Sequence, residues 1–179
     1  MDKEPDKSII ASVNLSRNDI LKSGICDTMK SIVKRNGLPP RCIRFEVTES
    51  SYMENSERLI STIKEFKEAG FIIEMDDFGS GYSSLNTLND IDIDVLKLDM
   101  RFLSGTENSE KSKIIISAVI NMASALGLPV IAEGVETREQ ADMLLSFGCK
   151  YMQGYYFSRP VPAAEYEKML HDTDWIKQL

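Results

Sequence analysis

Asp76 and Asp77 stand side by side where the apolar run "FIIEM" meets the turn-forming stretch "GSGYSS". Two carboxylates held that close repel, and each raises the other's pKa. A bridging cation removes the conflict, so the pair raises the question of a metal site. Further polar residues recur at comparable places. Asn14 lies near the end of "IIASVNL", and Glu46 and Glu49 at the end of "CIRFEVTE". Lys97 and Asp99 close "DVLKLD", Glu133 and Glu136 follow "PVIA", and Gln153 lies in "YMQGYYF". Asn, Glu and two Asp supply hard oxygen ligands, the set that suits Mg²⁺ or Mn²⁺. An aspartate shared among other carboxylates is what a two-metal hydrolytic site needs. Lys97 could position a water or neutralise a phosphate, and Glu133 could act as a base.

Taken singly, each residue also admits a structural role. Asp76 and Asp77 could start a turn, and Asn14 could close a strand. Glu46 could face solvent, Glu49 could cap the next segment, and Lys97 could be an interior salt-bridge partner. Glu133 and Glu136 could belong to a solvated loop. Gly79 and Gly81, with Ser80 between them, could only permit a tight turn, because "GSGYSS" is not a dinucleotide fingerprint. The structural readings weaken together, because the polar set recurs at the same end of successive strands.

The elements that must position these residues alternate. Strand-like runs cover "IIASVNL", "CIRFEVTE", "FIIEMDD", "DVLKLD", "LPVIAEG" and "YMQGYYF". Between them, "SRNDILKSGICDTMKSIVKRNG" reads as one helix, with Ser16 as N-cap and Gly37 as its stop. "NSERLISTIKEFKEAG" carries Leu59, Ile60, Ile63 and Phe66 at helical spacing. A short crossover, "SSLNTLNDI", precedes the fourth strand. "EKSKIIISAVINMASALG" and "TREQADMLLSFG" are further helices, and Thr137 and Gln140 have capping-box spacing. Residues 163–179 read as a closing helix. Repeated strand–helix units predict a parallel sheet with right-handed crossovers. In a parallel barrel the carboxyl ends of the strands converge on the face where active sites are built.

Composition narrows the class. The chain has 179 residues, 42% hydrophobic and 27% charged, which suits one domain with a real core. No apolar run reaches membrane-spanning length. Cys26, Cys42 and Cys149 read as reduced core thiols of a cytoplasmic protein, not a disulfide frame. A net charge of −7 argues against a nucleic-acid polymer or a membrane surface as partner, since either needs a basic face.

"SVNLS", "FEVTES", "DDFGSGYSSL", "LKLD", "VIAEGVET" and "QGYYFSRP" resemble, in order, the motifs of the EAL-domain family of cyclic-di-GMP phosphodiesterases. The resemblance runs from about Ser12 to Pro162. It implies a modified TIM-like (β/α) barrel of mainly parallel strands, which hydrolyses cyclic di-GMP to linear pGpG with Mg²⁺ or Mn²⁺. Asn14 and Glu46 match metal ligands, and Asp76 and Asp77 match the aspartates of the two-metal site. Lys97 matches the lysine that holds the water system, and Glu133 the glutamate assigned to base work. Glu49 matches the glutamate that steadies the loop after "DDFG". Asp99 and Glu136 fall in the surrounding shell, and Gln153, Gly79, Ser80 and Gly81 in the substrate pocket. The resemblance also implies cyclic di-GMP as ligand, and a homodimer or an upstream GGDEF or sensory domain as partner.

The chain contains no Glu-Ala-Leu, the motif whose Glu is a metal ligand in the family and sits well before "NLS". Only eleven residues precede Ser12. Six strands fall short of the eight that close such a barrel. The sequence therefore reads as a single, incomplete EAL domain lacking its N-terminal part. Two functions stay open on these grounds: metal-dependent hydrolysis of cyclic di-GMP, or an impaired module that binds the nucleotide or another protein.

Overall fold

The computed structural model describes residues 9–48, 50–51, 56–79, 84–100 and 110–171. Six strands form one parallel sheet in sequence order: β1 (Ala11–Asn14), β2 (Ile43–Thr48), β3 (Ile72–Phe78), β4 (Val95–Asp99), β5 (Val130–Glu133) and β6 (Tyr151–Gln153). Helices α1 (Arg17–Leu21), α2 (Ile25–Arg35), α3 (Ser56–Glu68), α4 (Ser84–Asp90), α5 (Glu110–Ala125) and α6 (Arg138–Ser146) lie in the crossovers. Helix α7 (Ala163–His171) follows β6. The result is the parallel sheet that the alternation predicted, curled into the incomplete (β/α) barrel that the resemblance implied. Residues 172–179 of the expected closing helix, and Glu49, Ser80 and Gly81 of the expected site, lie outside the described residues.

The core lies between the sheet and its helices. Phe45, Val47, Ile73, Met75, Leu96, Leu98 and Ala132 of the strands are buried together with Leu59, Ile63, Phe66, Ile116, Ile120 and Leu144 of the helices. Burying each large apolar side chain stabilises by roughly 1.5–3 kcal/mol. Phe45, Phe66 and Phe71 form an aromatic knot, with ring centroids 4.4 Å apart for Phe45–Phe66 and 5.2 Å for Phe45–Phe71. Ile60, one residue off the apolar stripe of α3, is exposed. Cys26, Cys42 and Cys149 are free and buried, as their apolar settings predicted.

Charge fixes the amino ends of the central strands. The Asp94 carboxylate accepts the Ile73 N–H at 2.8 Å, and the Asp94 N–H donates to the Ile73 carbonyl at 2.9 Å. Lys67 of α3 then holds Asp94 at 3.1 Å and Asp92 at 2.6 Å. These contacts lock the start of β3 against β4 and set the register as far as the Met75–Leu96 pair.

One expected element divides. The stretch read as a single helix after Ser16 is two helices, broken at Gly24, whose φ of +77° is left-handed. Only glycine enters that region without steric cost. The carbonyls freed at the break find a distant donor: the Arg58 guanidinium of α3 reaches the Ile20 carbonyl at 3.2 Å and the Lys22 carbonyl at 3.5 Å. Helical periodicity continues through the break, so the pattern alone hid it.

β1 is an edge strand, and Ile9, Ile10 and Val13 around it are exposed. Among the described residues, no helix is long and apolar enough to cross a membrane.

Candidate functional site

Strand register places the polar residues on one face. Asn14 pairs with Glu46, Thr48 with Asp76, Asp99 with Glu133, and Glu133 with Gln153. Side chains alternate along a strand, so register partners share a face. Here that face is the concave one, since the alternate residues Phe45, Met75, Leu96 and Ala132 are buried in the core opposite.

A bulge concentrates the aspartates. Met75 pairs with Leu96 and Phe78 with Leu98, so Asp76 and Asp77 together stand opposite Lys97. In an unbroken strand Phe78 would share the face of Asp76. The inserted residue resets the alternation and returns Phe78 to the core. Asp77 takes a left-handed conformation, φ +54°, the one non-glycine residue to do so among those described. Its N–H donates to the Asp76 carboxylate at 3.0 Å, a local bond that favours the turn.

Lys97 is the centre of the site. It is only 4% exposed. Its Nζ lies 2.6 Å from Glu46 Oε1, 2.6 Å from Glu133 Oε1 and 3.1 Å from Asp76 Oδ1. The three acids come from β2, β5 and β3. Burial alone would push the ammonium down. The hydrogen bonds to Glu133 and Glu46, and the charges of Glu133 and Asp76, outweigh it and hold the Lys97 pKa well above its usual value. For Glu133, burial pushes the carboxyl above its usual range, the charges of Asp76 and Glu46 add to that, and Lys97 opposes it. Gln153 donates from Nε2 to the same Glu133 oxygen at 2.5 Å.

The remaining expected residues are nearby. Asn14 sits at the carboxyl end of β1, Asp99 is buried at the end of β4, and Gly79 follows β3 with φ +96°. Glu136 does not join the Lys97 cluster. It lines a cavity of about 500 Å³ with Glu133, Gln153, Tyr155, Arg159 and Tyr166. The Arg159 guanidinium stacks over the Tyr155 ring, 4.5 Å from its centroid.

Sequence reasoning missed a second polar layer beneath this one. Glu74 is fully buried, yet one carboxylate oxygen accepts from Arg44 Nη1 at 2.8 Å and the other from Ser12 Oγ at 2.7 Å. Arg44 Nε is buried and has no hydrogen-bond partner among the described residues. A glutamate between Ile73 and Met75, inside the apolar run that opens β3, was the available signal.

The donor chemistry of Asn14, Glu46, Asp76 and Asp77 fits a hard divalent cation. Two of them, Glu46 and Asp76, are drawn onto Lys97, and among the described residues no group of three or more His, Cys, Asp or Glu is spaced to hold a metal.

The sequence profile described as "EAL domain" matches residues 1–160. The chain belongs to the EAL domain family. It is similar to the cyclic di-GMP phosphodiesterase NbdA of Pseudomonas aeruginosa, at 36% identity over 89% of this chain and 20% of the relative. The crystal structure of the EAL domain of Mycobacterium smegmatis DcpA superposes with a TM-score of 0.84 at 34% identity, covering 91% of this chain and 73% of that one. The Klebsiella pneumoniae BlrP1 manganese/cyclic di-GMP complex gives a TM-score of 0.80 at 30% identity, covering 86% of this chain and 40% of that one. The chain spans about a fifth of the length of the curated relatives it matches.

Proposed function

We propose that this EAL domain hydrolyses cyclic di-GMP to linear pGpG with Mg²⁺ or Mn²⁺. The observation that carries the reading is Lys97, held at once by Glu46, Asp76 and Glu133 from three parallel strands. One ammonium among three carboxylates leaves an anionic pocket, which suits a cation and, through it, a phosphodiester. NbdA is a cyclic di-GMP phosphodiesterase, and BlrP1 forms a complex with manganese and the nucleotide, which supports the same choice.

Asn14, Glu46, Asp76 and Asp77 would hold the metal. When bound, it polarises a phosphate oxygen and lowers the pKa of a bound water. Lys97 neutralises charge and orients the water. Glu133 takes a proton; burial raises its affinity for one, and the Gln153 amide fixes the carboxylate's orientation. Glu136, Gln153 and the cavity they line receive part of the dinucleotide. An upstream GGDEF or sensory domain, or a second copy of the chain, is the partner consistent with family membership.

The test is chromatography of cyclic di-GMP and pGpG after incubation with the 179-residue chain and Mn²⁺ or Mg²⁺. Linear product that disappears in excess chelator is expected. No product with either metal, or turnover indifferent to chelator, overturns the reading.

A further inference from the structure

We propose that Arg44 is a positioning residue for Lys97, acting by keeping the buried Glu74 carboxylate from competing for its ammonium. The inference rests on the phosphodiesterase reading of the site. Glu46 and Glu74 are register partners on adjacent strands, so two carboxylates of one face stand directly opposite each other. Each is matched to its own cation. Lys97 takes Glu46 at 2.6 Å, and Arg44 takes Glu74 at 2.8 Å. Arg44 and Lys97 are the cations on this face among the described residues.

The placement of Glu74 makes the competition real. It is fully buried, so water cannot stabilise its charge, and Ser12 supplies only a neutral hydrogen bond. Recruiting the nearest replacement is one way for a buried carboxylate stripped of its cation to escape the cost of an unpaired buried charge. Glu74 pairs in register with Val95, and Lys97 is the next residue of β4 on the same face. A lysine stem is long and flexible enough to fold back by that one step. Lys97 would then leave Asp76 and Glu133, the two acids that lie toward the catalytic end of the strands.

Arg44 suits the task because it stands one step before Glu74 on the same face of the adjacent strand, paired in register with Ile72. It holds Glu74 through Nη1, while its Nε has no hydrogen-bond partner among the described residues. The pair is therefore a single contact, not a two-pronged clamp, and its loss should be repairable by neutralising Glu74.

Three variants test this: Arg44→Met, Arg44→Lys and the double change Arg44→Met with Glu74→Gln. Turnover is measured on folded protein well below its melting temperature. Arg44→Met should lose about tenfold or more in kcat, the scale of one charge-assisted hydrogen bond, with KM for cyclic di-GMP within about twofold. Arg44→Lys should retain most of kcat. The double variant, which no longer needs a cation, should recover kcat to within about threefold of the parent. A crystal structure of Arg44→Met supplies a readout independent of turnover, with Lys97 Nζ within about 3.2 Å of Glu74 and withdrawn from Asp76. Unchanged kcat in Arg44→Met, no recovery in the double variant, or Lys97 still seated on Asp76 and Glu133 would each overturn the proposal. If the parent shows no turnover, the phosphodiesterase reading fails, and the position of Lys97 in Arg44→Met still decides the role of Arg44.

Discussion

Lys97 and Glu133 meet at 2.6 Å although they are not register partners: Lys97 pairs with Ile131, and Glu133 with Asp99. Glu46 lies at the opposite offset, level with Glu74 and through it with Val95. One ammonium thus gathers acids from three successive levels of the sheet. Strand tilt in a barrel makes this possible, because stagger brings residues of different register to one height. Replacing Lys97 by Met should therefore strand three acids at once. Breaking a buried ion pair costs about 3–5 kcal/mol.

The cost should depend on pH in a definite direction. Burial raises the pKa of Glu133 in the folded protein, so the folded state binds that proton more tightly than the unfolded chain. A raised acid contributes stability below its ordinary pKa and loses it as pH rises through the folded value. Lys97 is the group that opposes this rise, and its own raised pKa keeps it charged throughout the neutral range. Without it Glu133 holds its proton to higher pH. Urea midpoints should show the Lys97→Met deficit larger at about pH 8 than at about pH 5. An equal deficit at both would mean that the acids do not feel one another.

Asp77 should show a conflict between stability and activity. Its φ of +54° is unfavourable for any residue with a Cβ. Asp77→Gly should leave the protein as stable or up to about 1 kcal/mol more so. Removing a proposed metal ligand should nonetheless cut turnover about tenfold or more. A melting temperature that falls with turnover would instead give the carboxylate a structural role.

How much of this was legible depended on the range of the interaction. Strands buried on both faces read as apolar runs, and Lys97 between Leu96 and Leu98 stood out against such a run. Asp76 with Asp77, and Thr137 with Gln140, are local patterns, and the structure contains both the paired acids at the strand end and the capping box. Arg44 and Glu74 are thirty residues apart, and nothing in either segment names the other. The bulge was equally hidden, since only pairing with β4 shows that two residues oppose one. The break at Gly24 escaped because its satisfying donor, Arg58, comes from another helix.

Gly154 should tolerate no side chain. A Cβ there would lie 2.2 Å from the Val135 carbonyl oxygen and 2.4 Å from its nitrogen, both backbone atoms that cannot step aside. The close approach exists because the Val135 N–H donates to the Gln153 carbonyl at 3.1 Å, and the Tyr156 N–H donates to the Val135 carbonyl at 3.0 Å. Gly154→Ala must push β6 away from β5, carrying Gln153 off Glu133. A stability loss of about 2 kcal/mol or more is expected, with turnover lowered in the protein that remains folded. Parental melting temperature and parental turnover together would refute the clash.

The start of α6 gives the last prediction, because it links a helix cap to the cavity wall. Thr137 Oγ1 accepts the Gln140 N–H at 3.3 Å. Gln140 Oε1 returns to accept the Thr137 N–H at 3.2 Å and the Glu136 N–H at 2.7 Å. The Gln140 side chain therefore fixes the backbone of Glu136, which lines the cavity beside Glu133. Thr137→Ala removes one acceptor from the helix end and should cost about 1 kcal/mol, while Thr137→Ser should cost little. Gln140→Ala removes the acceptor of two N–H groups and frees Glu136. Both N–H groups are exposed, so water can replace the lost acceptor and the stability cost should not exceed that of Thr137→Ala. The two changes should differ in activity instead. Thr137→Ala should keep turnover near parental, whereas Gln140→Ala should raise KM for cyclic di-GMP by loosening one wall of the cavity. Paired measurements of melting temperature and KM separate the two effects. If both variants alter KM alike, the cap as a whole supports the wall, and Gln140 has no separate hold on Glu136.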